Sequence, residues 1–151
     1  MYLAAGVIAL LLALGLLWLI ATVEDWSRDL TTNYAATSVS AKNPSLHPIT
    51  SQRPSSDLAD LAATAVKRLP GWELAGREVT ADEITLRFVR TTRLLRFKDD
   101  ITVHIRLASD NQQPAQYEIF AESQSRVGKG DFGQNPRNLA ELMDTLRTLL
   151  R

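Results

Sequence analysis

Cysteine is absent from this 151-residue chain, which excludes disulfides, thiolate metal sites and cysteine nucleophiles together. Histidine is nearly absent. Only His47 and His104 occur, too few for a histidine-rich metal centre. Net charge is missing as well: seventeen basic and seventeen acidic side chains cancel, so no long-range field draws the whole chain to nucleic acid or to an acidic surface. Charge recognition must therefore be local. Chain length sets a further limit, because roughly 95 residues remain once an apolar N-terminus and a polar linker are set aside, enough for one core and not for two.

What is present first is a long uncharged run. Residues 1–23 carry no charge, and the stretch from Leu3 to Val23 is long enough to cross a bilayer as a helix of about 20 residues. A cleaved signal peptide fits less well, since no Lys or Arg precedes the run, its length exceeds the usual 7–15 or so, and no small-x-small site closes it. Trp18 and Trp26 suit an interfacial belt. Neither flank holds a cluster of Lys or Arg, and the expected orientation puts the globular part on the extracytoplasmic, periplasmic side of the cell membrane as a single-pass protein. The organisation expected is a transmembrane anchor over 1–23, a polar linker over 24–53 and one α+β domain over 54–151. Pro44, Pro48 and Pro54 and the Ser, Thr and Asn around them support the linker reading.

Within the domain, Ser55 or Ser56 can cap a helix from about Asp57 to Leu69, whose apolar positions Leu58, Leu61, Ala62, Ala65, Val66 and Leu69 share one face before Pro70-Gly71. The chain then switches to period two. Strands are expected over Trp72–Val79, Glu83–Val89, Ile101–Leu107 and Ala115–Ser123, with turns at 80–82 and 109–114. Clean alternation argues for an antiparallel sheet with one buried face. Asn135-Pro136 opens a last helix, with Leu139, Leu142, Met143, Leu146, Leu149 and Leu150 as its stripe. The fold class expected is α+β: an N-terminal transmembrane helix, then a two-layer sandwich of a four-stranded antiparallel sheet with two helices on one side, in the order α-β-β-β-β-α.

Three places are candidates for chemistry. On the outward sheet face, Arg87, His104 and Arg106 neighbour Gln116, Glu118 and Glu122, which cross-strand ion pairs account for without a ligand. His104 shows no carboxylate pattern near it in sequence and reads as a surface residue. A nucleic-acid surface would need aromatic platforms among the bases, and none is present. Arg90, Arg93, Arg96 and Lys98 precede two adjacent acids, Asp99 and Asp100. Consecutive strand side chains point to opposite faces, so only one of the two can face a given site.

The third place is S-Q-S-R-V-G-K-G-D-F-G-Q-N at Ser123–Asn135. Its glycines permit positive φ, Arg126 and Lys129 are cationic, and the helix beyond offers unpaired N–H groups, so the parts of an anion site are present. The spacing matches neither the P-loop nor the dinucleotide fingerprint. Two readings stay open: a clasp in which Arg126, Asp131 and Asn135 pair internally and lock strand to helix, or a recognition loop.

This stretch, with Phe97–Asp100 and Thr50–Gln52, resembles a bacterial and plastid family known as domain of unknown function 1499. The likeness runs from about Pro48 to Arg151, and its most specific part is S-x-S-R-x-G-x-x-D-x-G-x-N at Ser123, Ser125, Arg126, Gly128, Asp131, Gly133 and Asn135. Where that family commonly has a basic residue three places after the Asn, this chain has Asn138. The resemblance implies exported or membrane-anchored proteins and no established activity. The function expected is a membrane-anchored, extracytoplasmic, non-catalytic domain binding a partner protein or envelope component through the Ser123–Asn135 loop. Its contact residues would be Asp100, Ser123, Ser125, Arg126, Lys129, Asp131 and Asn135, with the membrane held through residues 3–23, no cofactor, no metal and no nucleic acid. The alternatives are a hydrolase or transferase with an anion site at Arg126 and Lys129, or an accessory subunit of a membrane complex.

Overall fold

The computed structural model describes residues 2–22, 31–108 and 114–151. Helix α1 spans Tyr2–Thr22, and its described side chains, at 6–17, are all exposed. Among the described residues no helix is long and apolar enough to cross a membrane. The transmembrane anchor expected over 1–23 is corrected accordingly. Trp26 and most of the turn expected at 109–114 lie outside the described residues.

Among the described residues the sheet has six strands and not the expected four. β1 (Tyr34–Ala36) and β2 (Ile49–Ser51) come from the stretch whose composition reads as linker. They are followed by β3 (Trp72–Val79), β4 (Glu83–Thr91), β5 (Lys98–Leu107) and β6 (Tyr117–Ser125). All pairings are antiparallel, β3 to β4 to β5 to β6, and β6 is then paired along its free edge by both β1 and β2. Tyr34 sits opposite Gln124 near one end of β6, and Ile49 opposite Ile119 nearer the other. Strands of three residues carry too little alternation to announce themselves in sequence. They form because β6 offers an open edge and because Ala35, Leu46 and Ile49 are buried against the core.

Between these short strands the chain makes an excursion over 37–48 that contains a 3-10 turn, Pro44–Leu46. The turn is pinned to the last helix. The Arg147 guanidinium donates to the carbonyls of Pro44, Ser45 and His47 at 3.2, 3.1 and 2.6 Å, and Ser45 Oγ donates to Asp144 at 2.8 Å.

Helices α2 (Ser55–Lys67) and α3 (Gln134–Leu150) cover the same face of the sheet. Ile84, Leu86 and Phe88 of β4, Ile101, Val103 and Ile105 of β5, and Ile119 and Ala121 of β6 point into that layer at period two. The helices answer with Leu58, Ala59, Ala62, Ala65 and Val66 from α2 and Leu139, Leu142, Met143 and Leu146 from α3. Three alanines on the buried face of α2 let its backbone come close to the strands. Each large side chain in this layer contributes about 1.5–3 kcal/mol on burial.

The turn from α2 into β3 has no room for a side chain. Gly71 has φ 84°, its carbonyl accepts from Thr91 N at 2.8 Å, and a Cβ there would stand 2.7 Å from the Thr91 carbonyl oxygen. Gly71→Ala is expected to destabilise the domain by about 2 kcal/mol or more, from left-handed strain and displacement of the β3–β4 end. Gly76→Ala, with nothing within 4 Å of the new methyl, should change stability by about 0.5 kcal/mol or less. Chemical denaturation of the two variants side by side measures the difference.

Candidate functional site

The buried face of β5 and β6 changes character at one end of the sheet. Continuing the period inward-pointing on β5 beyond Ile101 gives Asp99, and on β6 beyond Ala121 gives Ser123 and Ser125. All three are buried, and α3 places Asn135 and Asn138 over them with no exposed surface. Polar groups removed from water must find partners inside. They do. Ser125 Oγ donates to Asp99 Oδ1 at 2.7 Å, and Asn138 Nδ2 donates to Asp99 Oδ2 at 2.9 Å, so each oxygen of the buried carboxyl accepts one bond. Ser123 Oγ donates to Asn135 Oδ1 at 2.6 Å.

Both asparagine amides are used in full. Asn135 Nδ2 donates to the Asn33 carbonyl at 2.7 Å and to Ser125 Oγ at 3.1 Å. Asn138 Nδ2 also reaches Ser123 Oγ at 3.2 Å, while its Oδ1 accepts from Gln134 Nε2 at 2.8 Å. Asn33 closes the ring from the other side: its backbone carbonyl accepts from Ser125 N at 2.9 Å, and its amide donates to the carbonyls of Ser125 and Gly128 at 3.2 and 2.9 Å. An asparagine in this setting spends each donor and acceptor it has. The network joins β5, β6, α3 and the residue before β1.

The connection from β6 to α3 is organised by Asp131. Its carboxylate accepts from Gly133 N at 2.9 Å and from Asn135 N at 2.7 Å, satisfying N–H groups that the start of α3 leaves open, where a negative charge also suits the helix dipole. To bring the chain round, Phe132 and Gly133 both take left-handed conformations, φ 51° and 73°. For a phenylalanine that costs on the order of 1 kcal/mol, which the cap and the network beneath must offset.

The residues expected to form a site therefore separate into three groups. Ser123, Ser125 and Asn135 lie inside, and Asp131 is spent on the helix start. Arg126 and Asp100 lie outside as a bidentate pair, Nε to Oδ2 at 2.9 Å and Nη2 to Oδ1 at 2.7 Å, so the partner of Arg126 is Asp100 and not Asp131. The pairing holds the Arg126 guanidinium above its ordinary value. Lys129 is exposed on the loop. Of the two adjacent acids, Asp100 faces out and Asp99 faces in, as alternation along a strand requires. Asp99, Asn138 and Asn33 are the members that the sequence reading leaves out. Asp99 shares the parity of Ile101 and Val103, and Asn138 shares the face of Leu142, so both carried a readable signal. Asn33 carried none.

Chemically this is a closed arrangement. Among the described residues the hydroxyls of Ser123 and Ser125 bond to asparagine and aspartate only, and a serine nucleophile needs both an adjacent base and access.

A second polar group occupies the opposite, outward face. His104 Nδ1 lies 2.5 Å from Glu83 Oε1 and its Nε2 lies 3.8 Å from Glu122 Oε1, while the ring stacks on Phe120 at 4.6 Å. The Arg106 guanidinium lies over the Phe120 ring, 4.5 Å from its centre, and pairs with Glu118 directly opposite. Tyr34 Oη donates to Glu122 at 2.8 Å, and burial followed by that bond raises the phenol above its ordinary range. Sequence alone hides the carboxylates around His104, because Glu83 comes from β4 and Glu122 from β6, across the ladder. The hydrogen bond from His104 is the chief cause holding Glu83 below the ordinary glutamate value of 4.5.

Two expectations follow from these two clusters. Asn135→Ala or Asn138→Ala should lower unfolding free energy by about 2–4 kcal/mol, by stranding several buried donors and acceptors at once, whereas Arg126→Ala on the exposed pair should change it far less; urea denaturation ranks the three. For Glu83, the folded value is the lower one, so its contribution is present above pH 4.5 and is lost as pH falls through and below that value. Denaturation of the wild type and of Glu83→Gln at pH 6 and at successively lower values should show the variant losing less stability on acidification.

No curated protein and no solved structure matches the chain. A family model does: the one described as protein of unknown function (DUF1499) matches residues 25–146, a span that holds every strand, α2, the buried network and most of α3. The serine, arginine, glycine, aspartate and asparagine pattern that carries the resemblance forms the joint between the last strand and the last helix, and on this match the chain belongs to that family of unknown function.

Proposed function

We propose that the domain is a non-catalytic recognition module, which binds a partner protein or an envelope component through the tip of the loop between β6 and α3. The observation that carries this reading is the division of labour within the 123–135 stretch. The side chains of Ser123, Ser125 and Asn135 are consumed internally, and Asp131 is consumed by the helix start. Val127 and Phe132 are left exposed, at 64% and 48%, beside Lys129. A loop held rigid by a buried base and presenting apolar and cationic tips suits binding.

A hydrolytic reading would require Asp100 or Asp131 to act as a base beside a substrate anion held by Arg126 and Lys129. Asp100 is engaged by Arg126 and Asp131 by two backbone N–H groups, which favours the recognition reading over it.

A photoreactive residue introduced at Val127 or Phe132 is expected to give a discrete adduct, to protein or to lipid, in intact cells. The same group at Asp82, in the β3–β4 turn, is expected to give none. Lys129→Glu should abolish the adduct while leaving the thermal transition in place. Equal labelling from all three positions, or an adduct indifferent to Lys129→Glu, would remove the proposal.

A further inference from the structure

The loop between β6 and α3 does not stand alone. The β4–β5 hairpin ends at the same edge of the domain: Thr91 pairs with Lys98, Asp99 with Ser125, and Arg126 N donates to the Lys98 carbonyl at 3.0 Å. Its tip exposes Leu94, Leu95 and Phe97, at 89%, 63% and 48%, alongside Val127 and Phe132. These five large apolar side chains are carried on two loop tips, and a soluble surface ordinarily scatters such residues singly.

Charge at this end is one-sided. Arg93, Arg96, Lys98 and Lys129 are exposed around the apolar tips. Lys67 and Arg68, at the close of α2, are brought to the same end by the hydrogen bond between Gly71 and Thr91. The nearby acids are largely spoken for, Asp99 in the interior, Asp100 by Arg126 and Asp131 by the start of α3, and Glu141 lies 3.9 Å from Arg90. Glu73, one residue into β3, is a further exposed acid at this end. Since the chain as a whole is neutral, the balancing acids lie elsewhere, at Asp57, Asp60, Asp82, Glu78 and Glu118 among others.

From this juxtaposition we infer that the end of the domain formed by the β4–β5 hairpin and the β6–α3 loop docks on the surface of an anionic phospholipid bilayer. The inference deepens the recognition reading above and rests on it. Protruding leucine and phenylalanine tips within a collar of arginine and lysine match an interface in which apolar groups enter the acyl boundary and cations meet the headgroups. Arginine and phenylalanine suit a protein interface as well, but such interfaces are depleted in lysine, and Lys67, Lys98 and Lys129 belong to this collar. The segment entering β1 is tied to this same end, where Asn33 donates to the Gly128 carbonyl.

The absence of cysteine makes the test direct. Leu94→Cys, Val127→Cys and, as the control, Asp82→Cys are each labelled with a nitroxide in the full chain and mixed with vesicles of phosphatidylcholine alone or mixed with phosphatidylglycerol. Labels at 94 and 127 should become shielded from a water-soluble relaxation agent on the anionic vesicles, and the label at 82 should not. Replacing Arg93, Arg96, Lys98 and Lys129 together by glutamine should weaken that shielding on the order of a hundredfold or more in the lipid concentration needed, and added salt should act in the same direction. Labels at 94 and 127 that stay as water-exposed as the label at 82, with the chain bound to vesicles, would overturn the inference. If photoreactive groups at 127 or 132 then still give a discrete protein adduct, loop recognition stands and the lipid assignment alone falls; if they give none, both fall.

Discussion

A carboxyl group at position 99 sits inside the domain, 2% exposed, and the placement of everything at that end of the sheet follows from the need to satisfy it. Burying such a group unpaired costs several kcal/mol or more, so Ser125 and Asn138 must stand where they do. Ser125 fixes the last residue of β6, and Asn138 fixes the rotation and depth of α3 over the sheet. Asn135, one turn earlier, then meets Ser123 and the backbone of Asn33. The apolar stripe of Leu139, Leu142, Met143 and Leu146 turns one face of α3 to the sheet, and the polar end fixes its register there, since a half-satisfied buried network is worse than none.

The same requirement explains why, Arg126 and Asp100 apart, so few of the loop side chains described at this end are engaged. With the inward-facing polar groups closed on one another and Asp131 occupied by the helix start, the loops outside are left with side chains that have no structural duty. Val127, Lys129, Leu94 and Arg93 extend from a base that cannot readily rearrange. Rigidity beneath and exposure above are two results of one arrangement, and they are what a binding tip needs in order to lose little entropy on contact.

Much of the α+β layer was legible because its residues repeat. Ile84, Leu86 and Phe88, or Ile101, Val103 and Ile105, announce a strand face, and Leu139, Leu142 and Leu146 a helix stripe. β1 and β2 were not legible, because three residues cannot display a period and because the edge of β6 that recruits them lies some seventy to ninety residues away in sequence. The 123–135 stretch was recognisable as a special place, and the inward parity of Asp99 was there to be read. Which partner each group takes was not. Arg126 chooses Asp100 across the β5–β6 ladder, and Asn135 reaches a backbone carbonyl 102 positions earlier, relations that only the folded topology defines.

That last bond has a consequence for how the protein is made. The Asn33 carbonyl accepts from Asn135, and the turn at Pro44–Leu46 is gripped by Arg147, so the first strand of the sheet is completed by the last helix. During synthesis the segment over 33–51 leaves the ribosome long before α3 exists, with the open edge of β6 still to come. Folding of the sheet's outer edge must then wait for nearly the whole domain to emerge, a long-range closure of the kind that slows folding and leaves strands exposed meanwhile. A nascent chain stalled before residue 117 would have no β6 edge for its N-terminal strands to pair on, leaving them available to chaperones or to one another.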